Sequence, residues 1–222
     1  MKLVMIPLAS PTISKTNNLS MTADDILTIL FHANQLKRTA RTGWVQRGVP
    51  NAENVAAHSY GVAFAALLLV QLVEAPLDAG RVLAMALLHD LPEGLTTDIP
   101  TPAWRYLPPG IKTEVERGAM QEILGTAAPT ADLMLLWEEL HASETAESHL
   151  VHDADKVDMF LQALVYEEQT GNRHLREFWT IPHRFHFSEV AMPHVILENC
   201  IGCTLCAQVC PTDCIQLRES WA

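Results

Sequence analysis

The sequence predicts an all-α body followed by a small C-terminal β/α tail. Apolar residues recur at helical spacing in successive segments between Thr22 and Trp179, and no alternating strand pattern precedes residue 190. All five cysteines fall after Asn199, so the last stretch has a composition unlike the rest. With 222 residues, 49% of them hydrophobic, the chain has enough apolar material for one domain with a substantial core plus an appendage.

The elements can be justified in order. Thr22-x-x-Asp25 has the form of a capping box, and Ile26, Ile29, Leu30, Ala33 and Leu36 follow at helical spacing. A basic, irregular stretch holds Lys37, Arg38, Arg41, Trp44 and Arg47. From Asn54 to Glu74 the apolar residues are nearly continuous, which predicts a buried central helix ended by Pro76. Asp78 is placed to cap the next helix, which runs through Val82, Leu83, Ala86 and Leu87 into His89-Asp90. The segment Leu91 to Gly110 holds five prolines and reads as an ordered loop. Lys112–Leu124 reads as a helix closed by Gly125, Thr130 as the cap of another through Leu133, Leu136 and Trp137, and Ser143 as the start of a long helix carrying Asp155. That last helix has Phe160, Leu161, Leu164 and Val165 as its apolar stripe and Gly171 beyond its end. Trp104, Trp137 and Trp179 read as packing residues.

Charge and composition exclude several classes. A formal net charge of −11, from 15 Lys+Arg against 26 Asp+Glu, leaves no broad basic face for a nucleic-acid polymer. The longest apolar run, Val62 to Val70, is nine residues, far short of the roughly 20 a membrane-crossing helix needs. The apolar patch Leu3 to Ala9 has only Lys2 ahead of it and is too short for a signal peptide, and Met21 is an alternative start. Cysteines odd in number and spaced for metal predict a reducing, cytoplasmic setting.

His58, the doublet His89-Asp90, and Asp155 each sit in or at the end of an apolar helix. Alone, each reads as well as a hydrogen-bonded core residue or a surface charge. As an ordered set they predict a mixed nitrogen and oxygen site for a divalent metal such as Mn²⁺ or Co²⁺, because a buried His-Asp doublet needs a compensating charge. Adjacent residues diverge by about 100° around a helix, so both members of the doublet can reach one ion only from a helix end, which Pro92 supplies.

These residues resemble the HD-domain superfamily of metal-dependent phosphohydrolases, whose pattern is H…HD…D. The closer resemblance is to its YfbR-like and HD-domain-containing-protein-2-like 5′-deoxynucleotidase branch. It is carried by Leu36-Lys37-Arg38, Arg41-Thr-Gly-Trp44-Val-Gln-Arg47, Glu53-Asn-Val-Ala-Ala-His58, His89-Asp-Leu-Pro-Glu93, Thr97-Asp-Ile-Pro-Thr-Pro102 and Asp153-Ala-Asp155-Lys156, over roughly Thr22 to Trp179. The resemblance implies an HD-domain helical bundle with His58, His89, Asp90 and Asp155 as metal ligands. It places Glu93 and Asp98 where acidic residues handle the nucleophilic water and the proton to the leaving group. It implies a deoxynucleoside monophosphate as substrate and a homodimer. Trp44 is a candidate to lie against base or sugar, and Arg41 and Arg47 are both candidates to fork the phosphate. His141, His149 and His152 are the only histidines available for a second metal ahead of Asp155, and none follows Asp90 closely, so one metal is expected.

The tail reads Cys200-x2-Cys203-x2-Cys206-x3-Cys210-Pro211, bracketed by Val195-Ile196-Leu197 and Ile215-Gln216-Leu217. It resembles one half of a bacterial ferredoxin, which implies a [4Fe–4S] cluster and an electron-transfer partner. Cys210, Cys214 or a second chain could complete the cluster. The expected organisation is an N-terminal extension over 1–21, the HD phosphohydrolase domain over 22–189 and the iron–sulfur motif over 190–222. An alternative to hydrolysis is an HD-type redox or oxygenase protein in which the tail transfers electrons.

Overall fold

Thr22 caps the first helix as its sequence predicts: its hydroxyl accepts from the Asp25 amide while the Asp25 carboxylate accepts from the Thr22 amide. The structure, a computed structural model, describes residues 21–191 apart from 101–102, 104, 126–127 and 181–182. The described helices are α1 (Ala23–Gln35), α2 (Thr42–Gln46), α3 (Val55–Leu69), α4 (Ala79–Leu88), α5 (Glu93–Thr96), α6 (Ile111–Leu124), α7 (Ala128–Ala142), α8 (Ala146–Thr170), a 3₁₀ turn at Arg173–Arg176, α9 (Glu177–Thr180) and α10 (Ser188–Ala191). No strand occurs among the described residues; an isolated antiparallel bridge joins Ala40 to Asn54.

Helix α3 is the centre of the bundle and packs on α8 and α4. Val62, Ala66 and Leu69 of α3 meet Val82, Met85 and Ala86 of α4 and Leu150, Val151 and Ala154 of α8. Val190 closes this cluster at 2% exposure, so the packing of the body reaches α10. Each Val, Leu or Met side chain among them contributes about 1.5–3 kcal/mol when fully buried. A second cluster joins Leu36, Val55, Leu88, Leu91, Met120, Ile123 and Trp137. A third, of Trp44, Val49, Ala163, Tyr166 and Leu175, pins α2 to the C-terminal half of α8.

Four details depart from the sequence reading. Helix α3 buries Val55, His58, Ser59, Val62, Ala66 and Leu69, yet its other face leaves Tyr60, Phe64 and Leu68 exposed, so a continuous apolar run did not mean burial all round. Of the α1 stripe, Ile29, Ala33 and the adjoining Leu36 pack inward while Ile26 and Leu30 remain exposed. Thr130 lies inside α7, which begins two residues earlier with Pro129 in its first turn, where a missing amide costs nothing. The long helix is capped by Thr145, which accepts from the Ser148 amide, while Ser143 adopts φ 52° between the two helices. Asp78, Gly125 and Gly171 cap as expected. Within the proline-rich loop, α5 forms one short turn.

Two devices place the site. Arg41 donates its amide to the Glu53 carbonyl and Val55 donates to Thr39, stapling the basic stretch to the start of α3. At Gly94 a Cβ would stand 2.9 Å from the His32 carbonyl, so only glycine lets α5 nest this closely against α1. The N-terminal extension, Trp104, the cysteine run and the β/α tail expected around it lie outside the described residues. No helix of the described residues is long and apolar enough to cross a membrane.

Candidate metal centre

Helix α3 contributes His58 from its buried face, α4 ends at Leu88 so that His89 caps it and Asp90 lies just past the end, and α8 contributes Asp155. The doublet is therefore at a helix end, as two neighbouring ligands require. His58 Nε2 lies 3.3 Å from His89 Nε2, 3.2 Å from Asp155 Oδ1 and 3.7 Å from Asp90 Oδ2. His89 Nε2 lies 3.2 Å from Asp90 Oδ2. Ligand bonds of about 2.0–2.2 Å place neighbouring donors about 3.0–3.5 Å apart around one ion, which three of these four separations match, the His58–Asp90 distance being slightly longer.

Chemistry supports the same reading. The Nδ1 of His58 is 2.8 Å from Asp158 Oδ2, and the Nδ1 of His89 is 2.7 Å from the Ala86 carbonyl. Both partners take an N–H, so both Nε2 lone pairs are left facing each other beside two carboxylates. Such a donor set fits a divalent cation. Without one, a proton serves: burial opposes a charge on His58, but hydrogen bonds to Asp155 and Asp158 override it and raise its pKa to about 10. Asp155 has its side chain 41% exposed; partial loss of water works against its charge, yet the His58 hydrogen bond and the charges of His58, His89 and Arg41 hold it at about 2. Asp90 is also held well below the usual carboxylate range, against burial, by His89, Arg41 and His58.

Glu93 opens α5 one turn past His89 and is 8% exposed, with its Oε2 lacking a hydrogen-bond partner. Burial first, then the charges of Asp90 and Asp98, push its pKa up to about 9, which favours the protonated carboxyl. Thr97 adopts φ 61°, an uncommon conformation for threonine, and the turn sends Asp98 back to α2. There Asp98 Oδ2 accepts from the Thr42 amide at 2.7 Å and its carbonyl accepts from the Thr42 hydroxyl at 2.5 Å. Arg41 donates to Asp90 at 3.1 Å; burial disfavours its charge, but Asp90, Asp155, Asp98 and Glu93 outweigh this.

Trp44 and Arg47 are placed elsewhere. Trp44 is 3% exposed, donates Nε1–H to Glu53 at 2.9 Å and packs against Tyr166 and Phe178, with ring centroids 5.6 and 4.5 Å away. Its ring is enclosed rather than offered as a stacking face. Arg47 pairs with Glu177, donates to the Gly43 carbonyl at 2.8 Å and lies over the Phe178 ring. Of the two arginines, Arg41 is the one that reaches the metal centre. Asp158 was missed by the sequence reading; the signal for it was a second aspartate one helical turn after Asp155.

Comparison with known proteins agrees with this geometry. Residues 33–190 match the HD domain family, and residues 193–216 match the 4Fe-4S binding domain. The proteins named 5′-deoxynucleotidase HDDC2 from Danio rerio and Homo sapiens are 33% and 35% identical, over 75% and 66% of this chain and 83% and 70% of theirs. Among solved structures, a conserved hypothetical protein from Pyrococcus furiosus aligns with TM-score 0.62 at 40% identity, covering 69% of this chain and 85% of that one. A predicted metal-dependent phosphohydrolase from Magnetospirillum magnetotacticum aligns with TM-score 0.56 at 25% identity, covering 70% and 82%. The chain belongs to the HD-domain family, alongside the relatives named 5′-deoxynucleotidase HDDC2.

Proposed function

We propose that this protein is a metal-dependent 5′-deoxynucleotidase, hydrolysing deoxynucleoside 5′-monophosphates to the deoxynucleoside and phosphate. The observation that carries the reading is the convergence of two imidazole Nε2 atoms and two carboxylates beside the buried Glu93 carboxyl. The names of the relatives supply the substrate class. A divalent metal held by His58, His89, Asp90 and Asp155 would neutralise phosphate charge and make a bound water acidic; Mn²⁺, Co²⁺ or a similar ion suits the mixed donors. Arg41 binds the phosphate, since its guanidinium lies at the centre. Glu93 donates its proton to the leaving 5′-oxygen, and Asp98, oriented by the Thr42 amide, takes the proton of the attacking water. Trp44 and Arg47 hold α2, and with it Arg41, in place.

The body is proposed to span 22–189, between the 1–21 extension and the 190–222 motif, and the burial of Val190 against its core supports carrying it a residue or so further. The tail is proposed to hold a [4Fe–4S] cluster through Cys200, Cys203 and Cys206, with Cys210 as the fourth ligand, and to exchange electrons with a partner. A homodimer is supported by the exposed apolar stripe of Tyr60, Phe64, Leu67 and Leu68 on α3. A cytoplasmic location follows from the cysteine spacing.

The test is phosphate release from deoxynucleoside and ribonucleoside 5′- and 3′-monophosphates with Mn²⁺, Co²⁺ or Mg²⁺. Metal-dependent release from deoxynucleoside 5′-monophosphates is expected; no release under any pairing would remove the proposal.

A further inference from the structure

His58 offers its two nitrogens to two different neighbourhoods. Nε2 faces His89 and Asp155, while Nδ1 faces Asp158 at 2.8 Å. Asp158 follows Asp155 by one turn of α8, so the two carboxylates lie along one face and meet opposite edges of the same ring. The His58 side chain is 1% exposed and that of Asp158 14%, so little water competes for the Nδ1 proton. The position of Asp158 also accounts for a glycine. At Gly61, one turn after His58 on α3, a Cβ would lie 2.0 Å from Asp158 Oδ1 and 2.8 Å from its Cγ. Glycine is poor inside a helix relative to alanine, and α3 is otherwise rich in alanine, valine and leucine. Glu53 has a carboxylate oxygen within 4.8 Å of the same His58 and Asp158 atoms, but it accepts from Trp44 Nε1.

We infer that Asp158 is a positioning residue: by accepting the Nδ1 proton of His58 it fixes the tautomer whose Nε2 is free to hold a divalent cation, and Gly61 is the seat that lets its carboxylate reach the ring. The inference rests on His58 being a metal ligand, as proposed above. A carboxylate behind a ligating imidazole raises the basicity of the ligand and holds the ring's orientation.

The test is a titration of metal-depleted full-length protein with Mn²⁺, followed by electron paramagnetic resonance; Mn²⁺ has little preference for the thiolates of the tail. Asp158→Ala is expected to weaken Mn²⁺ binding by about 10–100-fold. Asp158→Asn, whose amide oxygen still accepts the Nδ1 proton, should recover most of that loss. Gly61→Ala should weaken Mn²⁺ binding as well, because its methyl group displaces the carboxylate. In the Asp158→Ala background the methyl meets no carboxylate, so Gly61→Ala should add no further loss and should raise Tm. Equal affinity in wild type and Asp158→Ala, or no recovery in Asp158→Asn, would overturn the inference. So would two bound ions of which Asp158→Ala loses one and leaves the other unchanged, since Asp158 would then be a ligand of a second ion. His58→Ala binding Mn²⁺ as tightly as wild type would instead overturn the ligand set, and the inference with it.

Discussion

Asp153 and Asp155 lie two residues apart on α8 and face two different groups of histidines. Asp155 faces His58 and His89, whose Nδ1 atoms are occupied and whose Nε2 atoms converge at 3.3 Å. Asp153, fully buried, accepts from the His186 and Phe187 amides and from Lys156, which employs both of its oxygens. Around it the rings turn their nitrogens to carbonyls: His149 Nε2 to Ser143 at 2.8 Å and His152 Nε2 to Leu140 at 3.0 Å, with His141 Nδ1 on Trp137 at 2.9 Å. His149 and His186 stack at 4.0 Å. Each of these rings also keeps a second nitrogen, so what distinguishes the candidate metal centre is that its two Nε2 atoms converge on one space beside carboxylates. The second group is a clasp holding the 183–187 segment to α8.

The comparison is broken most decisively by exchanging ligands for clasp residues. His89→Ala should abolish both metal binding and phosphate release, while His149→Gln leaves each within about twofold, because surface-proximal substitutions away from a site rarely cost more than about 0.5 kcal/mol. Similar losses in the two variants, read by metal content and phosphate release, would remove the distinction. Glu93→Gln should keep its metal and lose about 10²–10⁴-fold in kcat, the usual contribution of proton transfer. Loss of the metal along with turnover would make Glu93 a ligand.

Much of this was legible in the sequence because it is local. Thr22 and Asp78 cap where their side chains can reach an amide two or three residues on, and Gly125 and Gly171 terminate helices at the positive φ that glycine tolerates. The His89-Asp90 doublet was legible as lying at a helix end, because Pro92 follows it two residues on. The direction of Trp44 and Arg47 was not, since it is set by Phe178, Glu177 and Tyr166, more than a hundred residues away in the chain. The exposed side of α3 was equally hidden, because an apolar run states what could be buried and not how many neighbours arrive. Asp158 needed the close approach of α8 to Gly61.

A smaller effect sharpens the contrast between the two arginines. Arg41→Ala should lower kcat/KM for a deoxynucleoside 5′-monophosphate by about 10–10²-fold, the scale of one hydrogen bond to a charged group. Arg47→Ala should lower it by about threefold or less, since its partners are Glu177 and Phe178 and an exposed ion pair contributes at most about 1 kcal/mol. The reverse ranking would return Arg47 to the substrate.

The smallest effects are in stability, and here the two histidine groups carry opposite signs. In the metal-free protein the pKa of His58 is raised from 6.5 to about 10, so its stabilisation is complete below about 6.5 and is lost as pH rises through about 10. His152 and His186 are lowered, chiefly by burial, so their contribution is complete above about 6.5 and is lost as pH falls through their folded-state values. The Tm of metal-free protein should therefore fall on both sides. His58→Gln should flatten the alkaline limb and His152→Gln the acid limb, and metal loading should remove the alkaline limb, because the cation replaces the proton on Nε2.

The central claim, that one divalent metal held by the helical body performs the hydrolysis, is tested most directly by titrating metal back into depleted full-length protein. Phosphate release from a deoxynucleoside 5′-monophosphate and bound Mn²⁺ are measured together, beside an Asp155→Asn variant. The account predicts no release in chelator, turnover that rises in proportion to metal and levels off at one ion per chain, and little of either in Asp155→Asn. Undiminished release in chelator, or Asp155→Asn matching wild type in both readouts, would contradict it.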